Sequence, residues 1–100
     1  MADQEGRFCV YLLASRKYGA LYTGVTGNLG RRVHIHREGL LDGFSSRYKT
    51  YRLVYFEQHG DPRSAITREK QIKAWKREWK IELIERANPD WRDLFDETFG

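Results

Sequence analysis

Glu69 is the residue whose type and position most strongly indicate chemistry. Ala65, Glu69 and Ile72 follow the spacing of one helix face, so the carboxylate stands where an apolar side chain is expected. An isolated buried carboxylate is costly, and it therefore needs a cation, a metal or a hydrogen-bond donor. The residues alone leave two interpretations open: a structural salt bridge with an arginine, or a metal ligand or general base.

Four further side chains can meet this carboxylate. Tyr11 and Tyr22 lie in neighbouring predicted strands and can point to one face of the sheet. Arg32 borders the inward stripe of a predicted helix, and His36 lies on that stripe. Simpler interpretations exist, because paired tyrosines often fill a core and an arginine can lay its stem over a sheet edge.

Together these five side chains supply the parts of phosphodiester hydrolysis. One carboxylate can hold Mg²⁺ if water and a substrate phosphate provide the other ligands. An arginine neutralises the charge that develops on the phosphate, and a tyrosine or histidine activates the attacking water.

The elements that must position these residues follow the order β-β-α-β-α-α. Strands are expected over residues 8–14, 20–25 and 52–58. Helices are expected over residues 29–39, 62–75 and 77–87, with a loop over 40–51 and a last short helix over 90–97. This pattern predicts an α+β fold with a small, mostly antiparallel three-stranded sheet that helices cover.

Several residues predict element boundaries and faces. Asn28 and Asp61 are expected N-caps, and Gly39 is a plausible stop for the first helix. Alternation in the third strand predicts two opposite faces, Val54 with Phe56 and Leu53 with Tyr55. The spacing of Trp75, Trp79 and Leu83 favours core packing over base stacking.

The charge distribution indicates a polyanionic partner. The 100 residues carry a net charge of +4 and fit one domain, with a core at about 8–88 and an acidic segment over 89–100. Residues 7–80 hold 16 Lys/Arg against 6 Asp/Glu, whereas residues 81–100 hold 2 against 6. A phosphate-bearing partner is the commonest explanation of such a basic body. A solvated basic face is the alternative.

Other classes of protein are disfavoured. No apolar run is long enough to span a membrane, and the polar N-terminus has no secretory pattern. Cys9 is the single cysteine, so neither an internal disulfide nor a Cys-rich metal site can form. We expect a cytoplasmic protein.

The tyrosines, the following turn and the helix around Glu69 resemble the GIY-YIG nuclease superfamily. Cys9-Val10-Tyr11 stands where the family has its first triad, and Tyr22-Thr23-Gly24 stands for the second. The segment "GVTGNLGRRVHIH" resembles the one that carries the family's arginine and a following His or Tyr. "AITREKQIK" matches the helix with the metal-binding glutamate. The resemblance covers roughly residues 8–88 and is greatest to the small single-domain branch.

The resemblance implies a role for each candidate residue. Glu69 would hold Mg²⁺ or Mn²⁺, Arg32 would contact the scissile phosphate, and Tyr11, or a relay through Tyr22 and His36, would deprotonate the water. The nucleic acid would be contacted at seven further positions: Gly24, Asn28, Arg31, Arg47, Lys49, Lys70 and Lys73. Gly24 would let the backbone approach the substrate.

The expected function is a Mg²⁺-dependent endonuclease that acts on DNA, in repair or in processing of branched or single-stranded forms. RNA stays open as a substrate, and a protein partner is expected to supply target choice. The alternative is a nucleic-acid-binding adaptor that cuts weakly or not at all. Several family members use a late polar residue, for which Asn88 is a candidate, although helix-stop chemistry before Pro89 explains it equally well.

Overall fold

The computed structural model describes residues 8–39 and 47–99 and has the predicted α+β architecture. The three strands form an antiparallel sheet in the order β2-β1-β3. Strands are β1 (Phe8–Ala14), β2 (Leu21–Thr26) and β3 (Arg52–His59), and helices are α1 (Leu29–Arg37), α2 (Pro62–Ala74), α3 (Arg77–Ala87) and α4 (Leu94–Phe99). The predicted order β-β-α-β-α-α is therefore confirmed, with α4 following it. Of the predicted loop, residues 40–46 lie outside the described residues, and residues 47 and 48 are helical.

The central strand β1 divides the core in two. A continuous apolar run suits this position, because a central strand covered on both faces has no solvated side. Val10, Leu12 and Ala14 pack toward α2 and α3, in a cluster that includes Ile72 and Ile84. The alternate residues Cys9, Tyr11 and Leu13 pack toward α1.

The predicted caps are confirmed. The side chain of Asn28 accepts a hydrogen bond from the Arg31 backbone N–H at 3.1 Å, and Asp61 accepts one from Ser64 at 2.8 Å. Gly39 follows the end of α1 with φ of 69°, the left-handed conformation that favours glycine. The sequence therefore sets where α1 begins, and with it the position of Arg32 and His36.

The predicted alternation in β3 is wrong, because the strand contains a bulge. Leu12 of β1 pairs with Tyr55, and Leu13 pairs with Leu53, so Val54 is an extra residue. Val54 and Tyr55 both pack in the α2 cluster, whereas Phe56 packs on the α1 side with Leu53.

Asn88 holds this bulge in place. Its side-chain amide donates to the Val54 carbonyl at 3.0 Å and to the Arg92 carbonyl at 2.9 Å, and its oxygen accepts from the Arg92 N–H at 3.0 Å. The residue is 1% exposed. Its contacts are those of a structural residue that ends α3 and ties the C-terminal segment to β3.

The chain after residue 88 belongs to the core more than its acidic composition suggests. Trp91 is fully buried in the cluster under α2 and α3, so the core extends beyond the expected end at residue 88. The last helix begins at Leu94 rather than at residue 90, because Trp91 has φ of 56° and Asp93 caps the helix through the Phe95 N–H.

The expectation of core packing is wrong for Trp79. Trp75 and Leu83 are partly buried against the core, but Trp79 remains 51% exposed. None of the helices among the described residues has the length and apolar content needed to cross a membrane.

Candidate functional site

Tyr11 and Gly24 form the base of the candidate site. They are direct partners in the antiparallel pairing of β1 and β2. A Cβ atom on Gly24 would lie 2.5 Å from both the Cζ and the hydroxyl oxygen of Tyr11. The Tyr11 ring therefore occupies the space that a side chain at position 24 would need. Gly24, which we expected to let the backbone approach a substrate, first makes room for Tyr11.

Two more rings surround Tyr11. Tyr22 pairs with Leu13 and so lies on the same sheet face, with its ring centroid 6.2 Å from that of Tyr11. His36 reaches the pair from α1, with its ring centroid 4.9 Å from that of Tyr22. The Tyr11 hydroxyl and His36 Nε2 are 3.1 Å apart in a buried hydrogen bond. The structure thus brings together three of the five residues expected in the catalytic group.

Burial keeps His36 neutral. Desolvation, together with the neighbouring Arg32 guanidinium, lowers the pKa of His36 to about 4. A neutral imidazole with its proton on Nδ1 presents Nε2 as an acceptor for the Tyr11 hydroxyl. Near pH 7 the unprotonated His36 can therefore accept a hydrogen bond from the Tyr11 hydroxyl.

The same burial disfavours a phenolate at Tyr11. Desolvation raises the pKa of Tyr11 well above its ordinary value, and the nearby Tyr22 raises it further. The Arg32 guanidinium lowers this pKa, and the Glu69 carboxylate adds a smaller increase. Tyr11 is consequently protonated at neutral pH, contrary to the low pKa that a free-standing tyrosine base would need. Arg32 and Glu69 nevertheless both lie close enough for their charges to change the pKa of Tyr11.

Glu69 occupies the predicted buried slot on α2. Glu69 is only 8% exposed. Few charged side chains are buried to this degree without a partner. Lys73 Nζ lies 3.2 Å from Glu69 Oε2, one helical turn along. The ion-pair partner is therefore a lysine rather than the arginine considered from the sequence. The Lys73 side chain is itself 64% exposed, so water competes with Glu69 for the ammonium group and the ion pair is weak.

Arg32 lines a cleft at the start of α1. The cleft has a volume of about 400 Å³ and is lined by Thr26, Gly27, Asn28, Arg31, Arg32 and Ile35. Arg31 and Asn28 are exposed, whereas Arg32 is half-buried and its charge acts on Tyr11 and His36. The N-cap at Asn28 sets where α1 begins, so the same helix places Arg31 in solvent and Arg32 near Tyr11.

The remaining predicted contacts are separate exposed side chains. Arg47, Lys49 and Lys70 are exposed, and their assignment to nucleic acid stays a prediction. Lys73 is instead the ion-pair partner of Glu69. Sequence reasoning missed this pairing, although the i, i+4 spacing of a glutamate before a lysine is a sufficient signal.

Comparison with known proteins decides the family. The GIY-YIG catalytic domain matches residues 7–82. The chain belongs to the GIY-YIG family. It therefore carries a nuclease-type domain of a family that acts on nucleic acids.

The curated relatives are small proteins of similar length. The UPF0213 protein CPE1444 of Clostridium perfringens is 39% identical over 75 residues, covering 75% of this chain and 80% of that protein. The UPF0213 protein HQ_3675A of Haloquadratum walsbyi is 36% identical over 68 residues, covering 68% of this chain and 76% of that protein. Neither name states an activity.

A solved structure supports the fold. The solution NMR structure of the UPF0213 protein BH0048 from Bacillus halodurans matches with a TM-score of 0.55. The match covers 94% of this chain and 99% of that one at 23% identity. At this identity the likeness bears on the arrangement of helices and strands alone.

Proposed function

We propose that this protein is a metal-dependent endonuclease that hydrolyses phosphodiester bonds, with DNA as the expected substrate. The observation that carries the proposal is the nearly buried carboxylate of Glu69, on a helix that packs against β1 and β2. A protein that only binds nucleic acid has no need for a buried acid of this kind. The non-cleaving adaptor is therefore the weaker alternative.

Glu69 fits Mg²⁺ or Mn²⁺ as a single carboxylate ligand. Hard cations prefer carboxylate oxygens, and Mg²⁺ commonly keeps several waters and binds substrate phosphate. The described residues contain no group of three or more His, Cys, Asp or Glu side chains placed to hold a metal, which agrees with ligands drawn mainly from water and substrate. A bound cation would stabilise negative charge on the phosphate and the leaving oxygen. Lys73 would compete with it for the carboxylate.

Arg32 would bind the scissile phosphate. Its half-buried guanidinium lines a cleft that opens between the β2 turn and α1, and Arg31 lies in the same cleft. A planar guanidinium can donate two hydrogen bonds to phosphate oxygens and stabilise the charge that develops during attack. Arg31 would contact an adjacent phosphate of the backbone.

The three rings would handle the proton of the attacking water. The water oxygen forms a bond to phosphorus, the bond to the leaving oxygen breaks, and the water gives up one proton. A tyrosine that takes this proton must release its own. The receiving group would be His36, whose Nε2 lies 3.1 Å from the Tyr11 hydroxyl. Its lowered pKa opposes this transfer, and the negative charge of a bound phosphate would raise that pKa. Tyr22, which is half-buried at the rim, would orient the water.

A cleavage panel tests the proposal. Branched, single-stranded and duplex DNA and the matching RNAs are incubated with Mg²⁺, with Mn²⁺ and with EDTA. We expect metal-dependent cleavage of at least one DNA form, and we expect Glu69→Gln to reduce it by about 100-fold or more. Glu78→Gln, an exposed acid on α3, serves as the matched control and should stay within about twofold of wild type.

A second measurement separates metal binding from activity. Mn²⁺ should broaden the NMR signals of Tyr11 and His36 in the wild-type protein and leave them sharp in Glu69→Gln. Cleavage that persists in Glu69→Gln, or equal broadening in both proteins, would contradict the assigned role of Glu69. Salt-dependent DNA binding without cleavage of any substrate would establish the adaptor instead. Repair, target choice through a protein partner and RNA as substrate stay predictions that the same panel can narrow.

A further inference from the structure

A second cavity lies between α2 and α3. It has a volume of about 310 Å³, at the lower end of the range for small-molecule pockets. Its lining comes from the middle of α2, from the residue that follows α2, and from α3: Arg68, Trp75, Trp79, Glu82, Leu83 and Arg86. Arg68 binds Glu57 of β3, the edge strand opposite β2. This cavity is thus separate from the cleft beside Arg32.

Trp79 is the unusual residue in this cavity. It follows the spacing of a core residue, yet half of its surface is exposed. The Trp75 ring contacts it edge-on, with centroids 6.2 Å apart, so the indole is held in orientation without being covered. An exposed aromatic ring held in one orientation offers a face on which a planar partner can stack.

The cations around Trp79 indicate which partner that is. Arg68 is fixed by two hydrogen bonds to Glu57, at 2.9 and 3.3 Å, and its guanidinium carbon lies 5.3 Å from the Trp75 ring centroid. Lys76 Nζ lies 6.0 Å from the Trp79 ring centroid. Aromatic faces combined with arginine planes and free cations are the chemistry that binds unpaired bases.

The acids of α3 restrict the path of a bound strand. Glu78, Glu82 and Glu85 line a neighbouring cavity and would repel phosphates. The backbone would therefore follow the side of Lys76, since the charge of Arg68 is paired with Glu57. Glu82, which also lines the Trp79 cavity, is an acceptor that favours a base with an amino group at its edge, such as cytosine.

We propose that this cavity binds one unpaired nucleobase of a single-stranded nucleic acid, stacked on Trp79. The choice of nucleic acid as the ligand rests on the proposed function. The new element is a second binding site, away from the cleavage site, that would prefer single-stranded regions. Cutting and base stacking would then occupy opposite edges of one small sheet.

The test compares two single-stranded DNAs of about 12 nucleotides, a length within the range of known single-strand sites. One is oligo(dC), and the other is an abasic strand with the same number of phosphates. Binding is measured in EDTA, by anisotropy of labelled DNA and by quenching of tryptophan fluorescence. We expect the wild-type protein to bind oligo(dC) roughly tenfold more tightly than the abasic strand.

Three variants assign the preference to Trp79. Trp79→Ala should bind both strands at the abasic level, whereas Trp79→Phe should keep the preference but lose the quenching. Ile66→Ala, which removes another exposed apolar side chain from α2, is the control and should behave as wild type. Far-UV circular dichroism and urea unfolding verify that each variant is folded.

The two proposals fail in different ways. Equal binding of oligo(dC) and the abasic strand by the wild-type protein, or an undiminished preference in Trp79→Ala, overturns the base site whether or not the protein cleaves DNA. A base preference that depends on Trp79 supports the base site even if no substrate is cut, and in that case only the endonuclease proposal is lost.

Discussion

Replacement of Gly24 by alanine tests the geometry of the site most directly. The new Cβ would lie 2.5 Å from Tyr11 Cζ and hydroxyl oxygen, whereas ordinary contacts begin at 3.4 Å. The Tyr11 ring must therefore move by about 1 Å. Such a shift stretches the 3.1 Å hydrogen bond to His36 beyond its useful length. Overpacking of this kind costs about 1–3 kcal/mol of the free energy of unfolding, and the lost hydrogen bond adds about 1 kcal/mol.

The assay combines urea unfolding with cleavage kinetics. We expect Gly24→Ala to lose about 2–3 kcal/mol of stability after the small gain that alanine brings in the unfolded chain. Cleavage should fall by about 100-fold, because a misplacement of 1 Å is enough to cost that much. Gly60→Ala is the matched control, since a Cβ there meets nothing within 4 Å.

Two outcomes would refute this reasoning. If Gly24→Ala unfolds at the same urea concentration as Gly60→Ala and cleaves normally, Tyr11 does not depend on the space at Gly24. If stability is unchanged but cleavage is lost, Gly24 acts by letting the substrate approach the backbone, and the contact with Tyr11 is secondary.

Three further predictions follow from single contacts. Asn88→Ala should lower the free energy of unfolding by about 2–3 kcal/mol in urea titrations, because the Val54 carbonyl at the bulge loses its buried donor; wild-type stability would exclude that role. Arg32→Lys should keep salt-dependent DNA binding but reduce kcat by about 10- to 100-fold, because a lysine lacks the planar fork; an unchanged kcat would argue against contact with the transition state. The lowered pKa of His36 has no effect on stability above pH 6.5 and reduces stability as the pH falls toward 4, since His36 is protonated there only in the unfolded chain. Unfolding measured across that window should show a loss of at most about 3 kcal/mol that His36→Gln lacks, and equal pH slopes in both proteins would contradict it.

The sequence predicted the parts of the site that depend on local periodicity. The alternation in β1 and β2 predicted that Tyr11 and Tyr22 can share one face of the sheet, and the helical spacing predicted buried positions for Glu69 and His36. The N-cap at Asn28 set the start of α1. These features require no knowledge of how elements pack against one another, because each side chain's face follows from its position within its own element.

Other features could not be predicted because they depend on contacts between distant segments. The bulge at Val54 shifts the faces of β3, and its donor Asn88 is 34 residues away. Trp79 has the spacing of a core residue, but its exposure depends on how α3 lies against α2. The protonation states of Tyr11 and His36 follow from their burial, which no single helix or strand determines.

The position of β2 at the edge of the sheet explains how the site can form at all. Tyr11 and Tyr22 pack on the α1 side of the sheet, whereas α2, which carries Glu69, packs on the opposite side. A fully interior strand would keep these groups apart. Because β2 is an edge strand and α2 contacts it, the carboxylate can act on Tyr11 where Gly24 contributes no side chain. An edge is also where a long phosphate backbone can reach groups from both faces, so the topology that unites these residues suits a polymeric substrate.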